Sequence, residues 1–237
     1  NSGRSSASTT VIEDGSGDTT ALAIGASKVV IKPSADTTAL LDIQNASGNS
    51  MLKVDATNNK IYTGSTPINT QVKTFDMDFN WAFPTTTNNT ALASAPLTAT
   101  PTEWTMGSGA TPTTVKSFSA NGQDLVPYLW YVPYNIEIDS VKAVFSNDTA
   151  TGDTVVFTLM SYAVDKNNAS TSGDLSDGAV VALSVSQITS GYEQIYFKDL
   201  AVATGAVSAG RAVVAFVRQG SNNSDLQAEL QIFYHFT

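Results

Sequence analysis

His235 is the single histidine of the chain. A hydrolase built on a Ser-His-Asp relay would have to be assembled around it. It stands two residues from the end, on the mainly polar side of an alternating run, and no G-x-S-x-G elbow accompanies it. That setting predicts a surface or interface histidine. Glu137, Asp139, Asp148 and Asp153 are close together in sequence, and Glu137 and Asp139 would share one face of a strand. A glycosidase flanks its sugar with two carboxylates; the plainer reading of these acids is a solvated strand face. Asp165-Lys166-Asn167-Asn168 and Ser172 to Asp177 form an oxygen-rich stretch of the kind Ca²⁺ favours. The EF-hand spacing is missing, which predicts an exposed β-loop. No catalytic residue, metal ligand or cofactor is expected.

Aromatic residues offer a different chemistry. Tyr128, Trp130 and Tyr131 lie in one run with Tyr134, and Trp81 and Trp104 stand elsewhere. Such side chains give large, stiff contact areas with a polar tip. Alternation along the run would point one set inward and the other outward. Tyr128, Trp130 and Tyr131 are therefore candidates for glycan or partner contact, beside the alternative of a core or a subunit interface. N-x-[ST] sequons stand at Asn45, Asn88, Asn147, Asn168 and Asn222, and matter only in a glycosylating host.

The elements that must carry these residues read as strands throughout. Residues 37–64, TTALLDIQNASGNSMLKVDATNNKIYTG, alternate apolar and polar positions in very short runs (Leu41, Ile43; Leu52, Val54; Ile61), broken by Asn/Gly-rich turns. Each run hides only two or three side chains, too few for a core. The segment must borrow its core, and copies of itself are the simplest source. Thr19-Thr20-Ala21-Leu22 recurs as Thr37-Thr38-Ala39-Leu40, each followed by an Ile and an Ala-Ser. An echo of this kind suits a β-solenoid or an intertwined β-stem. Leu22, Ile24, Leu41, Ile43, Leu52, Val54 and Ile61 are the expected oligomer interface.

The predicted organisation is a flexible Ser/Thr/Gly-rich lead over 1–18 anchored by Val11 and Ile12, a β-stem over 19–66, a linker over 67–71 and a β-sandwich over 72–237. In the sandwich, Phe75, Met77, Phe79 and Trp81 alternate strictly. Residues 84–114 read as a surface excursion with short strands, Glu103–Met106 among them. Further strands are expected at Val115–Ser119, Tyr128–Val132, Ile136–Phe145, Thr154–Tyr162, Ala179–Val185, Tyr192–Asp199, Arg211–Arg218 and Leu226–Phe236. Turn residues separate them, Asp177-Gly178 included. In the last strand Leu226, Ala228, Leu230, Ile232, Tyr234 and Phe236 would share one face. About eight strands with no helical period mean a sandwich or jelly roll. The fold class is thus all-β, an N-terminal intertwined or solenoid-like β-stem followed by a β-sandwich or jelly-roll domain.

Composition removes several partners. Only 14% of the 237 residues are charged and the net charge is −9. No basic face is left to bind nucleic acid, and an anionic membrane surface would repel the chain. No run of 18 apolar residues is present, so membrane insertion is not expected. The chain has no cysteine, so stability must come from packing and association.

Two stretches resemble a known group. LDIQNASGNSMLKVDATNNKI is similar to the stem repeats of tailed-phage fibre proteins, which run L-x-ϕ-x-N-x-x-G-x-x-ϕ-ϕ-x-V-D, ϕ being apolar. The matching positions are Leu41, Ile43, Asn45, Gly48, Met51, Leu52, Val54, Asp55 and Ile61. Bacterial surface adhesins carry similar repeats. Over roughly 128–237, the order of Tyr131-Val132-Pro133-Tyr134-Asn135, Ile138 to Val141, Gly152 to Phe157, Ser208 to Arg211 and Leu230–Phe236 resembles jelly-roll-like domains of tailed-phage structural proteins. The resemblance implies a non-enzymatic virion protein, a trimeric fibre or capsid decoration protein. Its partners would be its own homotrimer, other capsid or tail proteins and a host surface glycan. A prokaryotic cell-surface adhesin or filament subunit, and a polysaccharide-degrading fibre enzyme acting through Glu137 or Asp139, are the alternatives.

Overall fold

Period-two alternation with Asn/Gly turns leads to strands throughout, and the computed structural model is all-β, without a helix among the described residues. It describes residues 9–13, 16, 19–25, 28–78, 88–92, 103–117, 129–147, 154–166, 173–188, 194–220 and 226–237. Two compact units divide the chain, Asn1–Thr70 and Gln71–Thr237.

In the first unit β1 (Thr9–Glu13), β2 (Thr19–Gly25) and β3 (Val29–Ile31) form one antiparallel sheet. β4 (Leu41–Gln44), β5 (Ser50–Asp55), β6 (Lys60–Thr63) and β7 (Thr66–Pro67) form a second. Residues 9–13 were expected within a flexible lead; pairing with β2 makes them a strand. The two Thr-Thr-Ala-Leu copies do not repeat structurally. Thr19–Leu22 lies in β2, whereas 37–40 forms the turn ahead of β4. That turn is set by long-range bonds: Leu40 N donates to Val54 O and Ala56 N to Thr37 O, at 2.8 and 2.9 Å.

The second unit contains β8 (Gln71–Asp78), β9 (Asn88–Leu92), β10 (Glu103–Ser108), β11 (Leu129–Tyr131), β12 (Ile136–Asn147), β13 (Thr154–Val164), β14 (Leu175–Leu183), β15 (Gln187–Ile188), β16 (Tyr196–Val202), β17 (Ala206–Val207), β18 (Arg211–Gln219) and β19 (Leu226–Phe236). These twelve described strands make one sheet in the order β10-β9-β18-β13-β14-β16-β12-β19-β8, with β11 on β18, β15 on β13 and β17 on β12. The sheet curls into a half-barrel. Its inner face carries the main core. Phe75, Met77, Ile138, Val141, Phe145, Leu230 and Ile232 come from one arm, and Val155, Phe157, Leu159, Val213, Ala215 and Val217 from the other. The arms join where Ala182 and Leu183 pair with Val202 and Ala201.

β13 and β18 are buried on both faces. Their outer face holds Met160, Tyr162, Ala212, Val214 and Phe216, packed with Met106 from β10. Residues 84–114 therefore do more than cross the surface: Met106 sits in a second core, and the chain after it is pinned down. Tyr162 Oη donates to Thr113 O, Gly178 N donates to Thr114 O (both 2.9 Å), and Lys116 bridges to Leu175. Burial pushes the Tyr162 phenol well above its ordinary value. The Asp177-Gly178 pair, expected between strands, lies inside β14. It is the irregularity where Ser161↔Ala179 gives way to Ala163↔Ser176. A side chain at Gly178 would lie 2.6 Å from Tyr162 Cε1 and 2.8 Å from Thr114 Cα, so close approach selects glycine there. Phe79 and Trp81 lie outside the described residues.

Candidate functional site

The motif over 41–63 resolves into jobs for individual residues. Leu41 pairs with Val54 and Val54 with Ile61; Ile43 pairs with Leu52 and Leu52 with Thr63. Residues directly opposite across antiparallel strands share a face. Leu41, Ile43, Leu52, Val54 and Ile61 thus form one apolar face, two cross-strand rows deep and three strands wide. The reverse face is mainly polar: Asp42, Lys53 and Tyr62 form a row, with Lys53 Nζ 4.5 Å from the centre of the Tyr62 ring, and exposed Met51 lies on the same side.

The Asn, Gly and Asp positions make the turns. Asn45 Oδ1 accepts hydrogen bonds from Ser47 N and Asn49 N, both 3.0 Å, and Gly48 takes φ +81°, a conformation that favours glycine. Asp55 is only 4% exposed; its carboxylate accepts from Asn58 N at 2.9 Å and Asn58 Nδ2 at 2.8 Å. These bonds hold the Asp55 carboxyl below its ordinary value. On the polar face the Ser50 hydroxyl, and then the Gln44 amide, do the same for Asp42.

Among the described residues of the first unit nothing buries the apolar face. Ile43 is 48% exposed, Ile61 is exposed, and Leu41, Leu52 and Val54 are half-buried. The first sheet repeats the pattern: Leu22 opposite Ile31 and Ile24 opposite Val29 line one face, with Ile24, Val29 and Ile31 exposed. Among the described residues of the first unit, only Ala23 and Asp55 are buried. Sequence reading missed Val29 and Ile31 as members of this surface; their alternation immediately after Ala26-Ser27 was the available signal.

The aromatic candidates separate. Trp130 packs against the inner core, its ring 4.9 Å from that of Tyr234. Tyr131 is exposed and accepts a 2.7 Å hydrogen bond from Lys166 Nζ. Tyr128 lies outside the described residues.

His235 is not at the surface. It is 3% exposed, and its Nδ1 stands 3.1 Å from Asp139 Oδ2. A bulge places Asp139 there. Ile138 pairs with Tyr234 and Ser140 with Phe233, so Asp139 is the extra residue of β12 and is skipped by the ladder. Glu137, in contrast, lies directly opposite His235. Glu137 and Asp139 both lie on the His235 side of the sheet, Glu137 by cross-strand pairing and Asp139 by its contact with the imidazole. Asp148 and Asp153 lie outside the described residues, as do 167–172 of the oxygen-rich loop. Within that region Asp177, at φ +48°, is ion-paired at 2.9 Å with Arg211, which also donates to Ser161 O at 3.0 Å. The Asn147 sequon is closed to glycan attachment, because Asn147 is buried.

A shallow groove of about 430 Å³ crosses the outer face of β8, β19 and β12, lined by Asp76, Val144, Ser146, Ile195, Gln227 and Glu229. Asp76 and Glu229 are direct cross-strand partners, a mildly destabilising opposition of like charges. Of these surfaces, the apolar face of β4 to β6 has the most consistent design: Leu41, Ile43, Leu52, Val54 and Ile61 face one way, and Asn45, Gly48 and Asp55 shape the turns. Comparison of the sequence with family models and with curated proteins found no match.

Proposed function

We propose that this chain is a non-enzymatic structural protein that assembles through its first seventy residues, as a trimeric fibre or decoration protein of a tailed-phage virion. The observation that carries the reading is the uncovered row Leu41–Val54–Ile61 with Ile43–Leu52 beside it. Fully burying such side chains contributes about 1.5–3 kcal/mol each. Left in water, a sheet of strands this short has no core to hold it.

Three copies fit this face well. Strands lie about 4.8 Å apart, so a three-stranded wall is about 14 Å wide, and three such walls enclose a prism with its axis about 4 Å from each wall. Sheets that pack face to face are about 10 Å apart, about 5 Å from each to the midplane. The two distances nearly agree, so side chains from three walls would fill the centre.

The virion part of the reading rests on the fibre-like motif, whose Leu41, Ile43, Leu52, Val54 and Ile61 share one face and whose Asn45, Gly48 and Asp55 shape the turns. We read residues 71–237 as a jelly-roll-like head, supported by a core drawn from both arms of the curled sheet. Attachment or particle stabilisation would follow from surface area and multivalency. Light scattering on the full chain at micromolar concentration tests the assembly. A mass three times the 24.9 kDa chain is expected; a monomer with a folded stem would refute it.

A further inference from the structure

Four aromatic rings form a chain at one end of the second unit. Ring centres are 4.9 Å apart for Trp130 and Tyr234, 5.8 Å for Tyr234 and Phe236, and 5.9 Å for Phe236 and Tyr134. The Trp130 end is anchored in the core. The other end is open, with Tyr134 66% and Phe236 49% exposed. The backbone under the rings is held: Asn135 Oδ1 accepts from Ala209 N at 2.9 Å, and Asn135 O from Thr237 N at 3.2 Å. A stiff, exposed aromatic pair with its base buried has the character of a contact surface.

Its place in the chain selects the occupant. Gln71, the first residue of β8, pairs with Tyr234. Each polypeptide thus enters its sheet beside this cluster, four residues after β7 ends at Pro67. When first units associate, the short connection tethers one such cluster per copy to the assembly. Each copy carries a net charge of −9, so a contact between copies is best made by uncharged groups. Tyr134 and Phe236 are uncharged.

We infer that Tyr134 and Phe236 form a head-to-head contact between copies of this chain. The inference rests on the proposed self-association and adds a second interface to it. The aromatic pairs extend from one head to the next, and the stem supplies the effective concentration that makes a small patch sufficient.

The absence of cysteine makes the test clean. Thr237→Cys places one thiol beside Phe236 and leaves all four rings intact. Gln194→Cys places one near the start of β16, which pairs with the far end of β12. Both full-length variants are treated with a short bismaleimide at micromolar protein. Thr237→Cys is expected to give on the order of 10-fold more covalent dimer than Gln194→Cys, and adding Tyr134→Ser and Phe236→Ser is expected to reduce that yield. Oligomer by light scattering with equal yields from the two thiols overturns the head contact and leaves the stem reading standing. Monomer by light scattering overturns both.

Discussion

Val54 on β5 lies directly opposite Ile61 on β6, and Ile61 is 38% exposed. The pair joins three strands through Leu41 on β4, yet among the described residues of the first unit no second layer buries it. On the proposed reading, copies of the chain supply the missing layer.

Val54→Asp tests that wall. In an assembly the new carboxylates would meet near a common axis, without cations, at a desolvation penalty of several kcal/mol per copy. The expected outcome is a monomer in light scattering and loss of the cooperative thermal transition of the stem. An unchanged trimer with an unchanged melting temperature would mean that Val54 is not buried. Lys53→Ala, on the polar face, is expected to leave the oligomer intact.

The turn carboxylates predict a pH dependence. Asp55 and Asp42 are both held below the ordinary value of 3.8 in the folded chain, Asp55 mainly by the Asn58 amide and Asp42 mainly by the Ser50 hydroxyl. The unfolded chain therefore binds more protons on acidification, so this contribution to stability is complete above the unfolded value and is lost as pH falls through the lowered folded values. Stem melting followed by circular dichroism should be flat from pH 7 to about 5 and decline below about 4. Asp55→Asn should melt lower at neutral pH and show a shallower decline. Superimposable profiles for the two proteins would refute the role of Asp55.

Legibility differed sharply between local pattern and long-range context. The limits of β19 fall at Leu226 and Phe236, where alternation put them, because a strand buried on one face writes its period into the sequence. The five apolar positions of β4 to β6 were readable for the same reason. The contact of His235 with Asp139 was not readable, because it is made at a one-residue bulge ninety-six positions away. Nor was the second core: one methionine in a Thr/Pro/Ala-rich stretch shows no period, and Met106 is buried by β13 and β18 rather than by its own neighbours in sequence. The repeated Thr-Thr-Ala-Leu misleads because four residues do not choose between strand and turn; bonds to Val54 and Ala56 decide it.

Gly178→Ala should expose the close crossing on β14. The added methyl would stand 2.6 Å from a ring carbon of buried Tyr162 and 2.8 Å from the Thr114 backbone. Overpacking of this kind costs about 1–3 kcal/mol. Urea unfolding of the full chain should show the loss, with Ser176→Ala, at an exposed position of the same strand, as the near-neutral comparison. A Gly178→Ala midpoint equal to wild type would show that residues 113–114 yield freely.

The His235–Asp139 pair should behave as a buried structural unit. With the imidazole almost fully enclosed and Nδ1 3.1 Å from the carboxylate, the nitrogen donates and the carboxylate accepts. Asp139→Ala removes the acceptor and leaves a buried polar ring, at a cost of about 1–3 kcal/mol. His235→Leu in the same background removes that ring as well. Losing both partners is close to neutral when shape is preserved, so the double variant should recover part of the stability lost by the single one. A double-mutant cycle read by urea unfolding measures this coupling directly. If Asp139→Ala stays within about 0.5 kcal/mol of wild type, as an ordinary surface change does, the bulge does not depend on the pair. In that case the aromatic chain through Tyr234 and Phe236, on the opposite face of β19, must hold this end of the sheet without it.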